Sequence, residues 1–175
     1  MPDSSMLDGK KVLAVDDEPD ILEALEELLS MCDLEKASTF SEAKDLLESR
    51  DFDIAILDIM GVDGYRLLEI ANRRNITAVM LTAHAFSPDN LVKSIKKGAA
   101  SYLPKEELAN IATFLKDVLA AKKKGENTWG PWQERLPTSY FEKRWGAAWQ
   151  DKDKEFWEKF RASIKDRVAQ KKKET

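Results

Sequence analysis

The chain has 175 residues, 43% of them apolar, and a formal net charge of −4. That length suits one ordinary domain with an appendage, and the apolar share can fill a core. No apolar run approaches the ~20 residues of a membrane span, residues 1–11 lack the apolar stretch of a secretory signal, and Cys32, the single cysteine, excludes an intramolecular disulfide.

A cytoplasmic protein is therefore expected. The charge is uneven. Residues 1–121 hold 13 Lys and Arg against 23 Asp and Glu, whereas residues 122–175 hold 15 against 9. An acidic front and a basic back suggest two units with different jobs.

Val12–Val15 is the first apolar run, and it reads as a strand buried on both faces. Ile21, Leu22, Leu25, Leu28 and Leu29 follow at helical spacing. Leu34–Ser38 fits a weaker strand. Thr39-Phe40-Ser41-Glu42 is a capping-box pattern that opens a helix carrying Ala43, Leu46 and Leu47. Ile54–Leu57 is the next buried strand, and Leu67, Leu68 and Ile70 mark the helix after it. Ala78–Leu81 precedes a helix with Leu91, Val92 and Ile95 that ends at Gly98. Ala99–Leu103 precedes a fifth helix with Leu108, Ile111, Phe114, Leu115 and Val118. Strand and helix alternate five times, which predicts an α/β fold with helices on both faces of a parallel sheet.

In such sheets the working site lies beyond the carboxyl ends of the strands. Asp16, Asp17 and Glu18 follow the first strand, Asp58 ends the third, Thr82 follows the fourth and Lys105 follows the fifth. Converging carboxylates repel unless a cation lies between them. Oxygen-only ligands point to Mg²⁺, which keeps several waters and often shares a phosphate oxygen. A lysine and a threonine hydroxyl suit the remaining oxygens of a phosphoryl group. Asp58 is placed to accept that group as an acyl phosphate. Taken singly, Asp16 and Asp17 suit a helix start, Thr82 an N-cap and Tyr102 a core ring. Their joint order carries the chemistry. His84, two residues past Thr82, is read as a surface residue near the site.

At these residues the chain resembles the response-regulator receiver family over roughly Lys10 to Ala121. The motifs are Val12-Leu13-Ala14-Val15-Asp16-Asp17-Glu18-Pro19, Ile56-Leu57-Asp58-Ile59-Met60, Asp63-Gly64, Leu81-Thr82-Ala83 and Gly98-Ala99-Ala100-Ser101-Tyr102-Leu103-Pro104-Lys105. The resemblance implies a flavodoxin-like five-stranded sheet of order 2-1-3-4-5. It implies that Asp16 and Asp17 organise Mg²⁺, with Asp17, Asp58 and the Met60 backbone carbonyl as direct ligands. It implies Thr82 as the switch hydroxyl, Lys105 as the phosphate partner and Tyr102 as the switch aromatic. The phosphoryl donor would be a sensor histidine kinase or a histidine phosphotransfer protein. The chain departs from the family between Asp58 and Gly64, a loop that is short and lacks the usual proline, and at Glu106, where proline is usual. Gly61 is expected to supply a positive φ there. Aspartyl-nucleophile phosphatases of the haloacid-dehalogenase type fit poorly. They carry a second Asp two residues after the nucleophile, where this chain has Met60.

The receiver is expected over residues 1–124 and a helical extension over 125–175. Trp129-Gly130-Pro131-Trp132 reads as irregular and Ser139-Tyr140-Phe141-Glu142 as a capping box. Trp145 with Trp149, and Phe156, Trp157, Phe160, Ile164 and Val168, form two helical stripes, so a helical hairpin is expected. All five tryptophans lie in this extension. They pack on the receiver or between the two helices, or else form a homodimer or partner interface. No helix-turn-helix pattern, zinc spacing or Gly-rich nucleotide loop is present. Nucleic acid and membrane are not expected partners, and no enzymatic activity is expected beyond the chain's own phosphorylation and dephosphorylation. Three functions remain open: a signalling switch, a phosphorelay carrier, and a transcription regulator with an unrecognised DNA-binding tail.

Overall fold

A computed structural model describes residues 6–83 and 86–174, with side chains as far as Ile164. His84 and the side chain of Val168 lie outside the described residues. The chain forms two compact units, residues 1–116 and 117–175.

The first unit is a five-stranded parallel sheet of order β2-β1-β3-β4-β5, as expected. The strands are β1 (Lys11–Val15), β2 (Asp33–Ala37), β3 (Ile54–Asp58), β4 (Thr77–Thr82) and β5 (Ser101–Pro104). Every residue of β3, β4 and β5 is buried, because helices cover both faces and leave no solvated side to favour alternation. Between the strands run α1 (Pro19–Leu28), α2 (Phe40–Ser49), α3 (Gly64–Arg73) and α4 (Pro88–Lys96). The Thr39 hydroxyl accepts the Glu42 amide at 3.2 Å, which realises the expected cap of α2. Ser87 caps α4 in the same way through the Asn90 amide.

A 3₁₀ turn, Lys105–Asn110, joins β5 to α5 (Ile111–Lys124). Leu108 belongs to that turn, so the helix opens three residues later than its apolar stripe suggests. The first unit ends within α5.

The second unit departs from a two-helix hairpin. It contains α6 (Trp129–Arg135), α7 (Thr138–Trp145) and α8 (Lys154–Glu174). The stretch expected to be irregular is α6. Pro131 is its third residue, in the first turn, where an amide has no intrahelical partner to lose. Nor is Ser139 a cap: α7 starts at Thr138, its N-cap is Pro137, and no side chain caps it. The tryptophans pack on one another within this unit. Trp132 lies 5.5 Å from Phe141, Phe141 5.4 Å from Trp149, and Trp149 5.0 Å from Trp157, centroid to centroid. Trp129, Trp132, Trp149 and Trp157 are all buried. Among the described residues no helix is long and apolar enough to cross a membrane.

Candidate functional site

The sheet delivers the expected residues to one rim. Asp16 leaves β1 with its amide still bonded to the Ala37 carbonyl at 3.1 Å. Its side chain is wholly buried, and Oδ1 accepts the Glu18 amide at 2.9 Å. Asp58 is the last residue of β3, 5% exposed, and its Oδ2 accepts the Gly61 amide at 3.1 Å. Asp17 is exposed. Carboxylate oxygens of Asp16, Asp17 and Asp58 lie within 4.8 Å of one another.

Lys105 enters from the end of β5. Its Nζ stands 2.9 Å from Asp16 Oδ2, 3.4 Å from Asp58 Oδ1 and 3.4 Å from Glu18 Oε2. The lysine thus binds Asp16 more closely than the residue whose phosphoryl group it was expected to meet. Burial, and then the charge of Asp16, push the Asp58 carboxyl up to about 6, against the pull of Lys105. Burial also raises Asp16. For Lys105, burial disfavours the charge, but Asp16, Asp58 and Glu18 together hold its pKa above the ordinary lysine value.

One ammonium faces three carboxylates here, and Asp17 adds a fourth to the cluster, so carboxylates outnumber cations. Asp16 Oδ2 is buried and makes no aligned hydrogen bond despite its ion pair. An oxygen-only cluster in which carboxylates outnumber the ammonium fits a small divalent cation. Met60 stands in the loop between Asp58 and Gly61, and its side chain is 64% exposed.

Thr82 ends β4. Its hydroxyl is buried and makes no well-aligned hydrogen bond. Tyr102, on β5, is fully buried, and its ring stacks on Phe86 at 6.4 Å. Burial pushes its hydroxyl far above the ordinary phenol value, although the Ser87 backbone and the Thr82 side chain stand beside it. The ring is therefore both a core residue and a neighbour of the Thr82 hydroxyl.

Two loop positions differ from expectation. The positive φ falls at Asp63 (55°), not at Gly61. Gly61 matters for a different reason: a Cβ there would meet the Asp17 carboxylate and push it from its place. Gly64 passes just as closely over the backbone carbonyl of Asp58 and donates its amide to Ile59 at 3.0 Å. Tyr65 joins α3 to α4 by donating to Asn90 Oδ1 at 2.8 Å, a contact no sequence pattern marks.

The family model described as "Response regulator receiver domain" matches residues 12–116. Two-component response regulator ARR18 of Arabidopsis thaliana is 40% identical in an alignment 113 residues long that covers 59% of this chain and 18% of that protein. Two-component response regulator ORR22 of Oryza sativa subsp. japonica is 39% identical in an alignment 114 residues long that covers 59% of this chain and 16% of that protein. The chain therefore spans about a fifth of the length of these curated relatives. Among solved structures, a CheY-like response regulator receiver domain protein from Methanospirillum hungatei JF-1 matches with a TM-score of 0.61 and 29% identity, covering 67% of this chain and 98% of that one. The receiver domain of Francisella response regulator 1452 matches with a TM-score of 0.53 and 28% identity, covering 62% and 97%.

Proposed function

The chain belongs to the response regulator receiver domain family, and on that premise we propose that Asp58 accepts a phosphoryl group from a phosphohistidine of a sensor histidine kinase or a histidine phosphotransfer protein. The observation that carries this reading is the buried Asp58 carboxylate, 3.4 Å from Lys105 and clustered with Asp16 and Asp17. An Asp58 oxygen attacks phosphorus while the bond from phosphorus to the donor imidazole breaks, and its electron pair returns to that nitrogen. The product is an acyl phosphate on Asp58.

Bound Mg²⁺ would supply charge neutralisation for the carboxylates and the phosphoryl oxygens. Asp17, Asp58 and the Met60 carbonyl would hold it, with Asp16 beside them. Lys105 takes one phosphoryl oxygen and Thr82 donates its unused hydroxyl to another. Tyr102 packs behind Thr82 and keeps that hydroxyl in place. The chain is then a cytoplasmic switch that acts on no outside substrate. The packing of tail rings on one another supports the extension as a folded unit attached to the switch rather than a display of free aromatic side chains.

Incubation with acetyl phosphate and Mg²⁺ tests the reading. Mass spectrometry should find one added phosphoryl group in the wild type and none in Asp58→Asn. A wild type that stays unmodified while beryllofluoride also fails to bind overturns it.

A further inference from the structure

Glu18 occupies the N-cap of α1. At that position Ser, Thr, Asp or Asn side chains usually accept an amide of the first turn. The Glu18 side chain makes no such bond. Pro19 follows it, lacks an amide and presets φ, so the helix start has one orphan donor fewer. The Glu18 carboxylate turns instead to Lys105, with Oε2 accepting from Nζ at 3.4 Å. Its own amide is engaged by Asp16 Oδ1 at 2.9 Å. Both ends of the residue are therefore tied into the acidic cluster.

The three acids that share Lys105 are not equivalent. The side chains of Asp16 and Asp58 are 0% and 7% exposed, whereas that of Glu18 is 45% exposed. Glu18 is the partner on the solvent side, and its bond is the one most screened by water. An ammonium has three donors, and Asp16, Asp58 and Glu18 surround it.

We propose that Glu18 is a positioning residue that tethers Lys105 away from the phosphoryl group until that group is in place, so that loading Asp58 requires the Lys105–Glu18 contact to break. This rests on the reading of Asp58 as acceptor. A half-exposed ion pair is a weak tether, so phosphoryl oxygens displace it readily, but its loss is measurable.

The test uses the full chain with Mg²⁺ and beryllofluoride, with affinity read by ¹⁹F NMR. Glu18→Gln should bind beryllofluoride about two- to fivefold more tightly, the scale of one partly exposed ion pair. Glu18→Asp keeps the charge but is a methylene too short to hold Lys105, and it should behave like Glu18→Gln. In a Lys105→Ala background, Glu18→Gln should change nothing. In the metal-free protein the Lys105 Nζ resonance, assigned with Lys105→Arg, should move in Glu18→Gln and Glu18→Asp alike. If Glu18→Asp matches the wild type, only the charge matters and the tether is wrong. The tether is also wrong if Glu18→Gln leaves both affinity and resonance unchanged while Asp58-dependent binding is intact. If the wild type does not bind beryllofluoride at all, the acceptor reading falls and this inference falls with it.

Discussion

Gly61 and Asp17 stand so close that any side chain at position 61 would occupy the space of the Asp17 carboxylate. Asp17 is an exposed, flexible side chain and can swing aside at little cost. Gly61→Ala should therefore leave thermal stability almost unchanged while lowering Mg²⁺ affinity by about tenfold, roughly 1.4 kcal/mol. Titration calorimetry with Mg²⁺ measures this. Undiminished Mg²⁺ affinity would show that Asp17 holds no metal.

Gly64 offers the opposite case. A Cβ there meets the Asp58 carbonyl, which is backbone at a strand end and cannot swing away. Gly64→Ala should cost about 1–3 kcal/mol, the range of overpacking. Urea unfolding of the two alanine variants side by side checks the contrast, and equal stabilities would refute it.

The Asp58 carboxyl gives a pH signature. It titrates at about 6 in the folded chain, from an ordinary value of 3.8. Between those values the folded state holds a proton that the unfolded state has lost. This group therefore favours folding fully below about pH 4, and that contribution is lost as pH rises through about 6. The full span is worth about 3 kcal/mol at most. In metal-free buffer the wild type should lose stability over that window, and Asp58→Asn should lose less and melt higher at neutral pH. Parallel pH profiles for the two proteins would contradict the burial of Asp58 as an uncompensated acid. Saturating Mg²⁺ should flatten the wild-type profile.

The sheet is readable because β1, β3 and β4 each contain an uninterrupted apolar run with a polar residue directly after it at the rim. Strand order came with the motifs, and Asp16, Asp58 and Lys105 meet where the topology sends them, with Thr82 at the end of the neighbouring β4. The loop geometry was not readable. Whether Gly61 serves conformation or clearance depends on where Asp17 points, and that is a tertiary fact. The inner ordering of Lys105, nearer Asp16 than Asp58, depends on a balance of charges no local pattern reveals. In the second unit Gly130 and Pro131 suggest an irregular stretch by composition, but their effect depends on position. In the first turn of α6 both are tolerated, and the burial of Trp129 and Trp132 supplies the stabilisation that propensity lacks.

Thr82 carries a buried hydroxyl that makes no well-aligned hydrogen bond, although the Tyr102 hydroxyl stands beside it. A buried hydroxyl left unpaired costs about 1–3 kcal/mol. Thr82→Val removes the hydroxyl and keeps the shape, so the metal-free protein should be as stable as the wild type or more so. Beryllofluoride affinity should fall by about tenfold, because one donor to the bound group is gone. A stability loss would mean the hydroxyl has a partner in solution. Unchanged affinity would remove Thr82 from the phosphoryl site.

Phe141 is the hub of the second unit. It is 1% exposed and lies between Trp132, Trp145 and Trp149 at 5.5, 4.9 and 5.4 Å. Phe141→Ala should cost about 3–5 kcal/mol, as deletion of a buried ring does. A unit this small has little stability to spare. Every tryptophan of the chain lies between residues 129 and 157, so tryptophan emission reports this unit alone. In Phe141→Ala the emission should shift to the red and its urea midpoint should fall. Beryllofluoride binding, followed separately by ¹⁹F NMR, then asks what the tail does for the receiver. Wild-type affinity in Phe141→Ala would make the tail a reader or a scaffold that the acceptor site does not need. A weakened affinity would make the folded tail part of what holds the receiver in its binding-competent form.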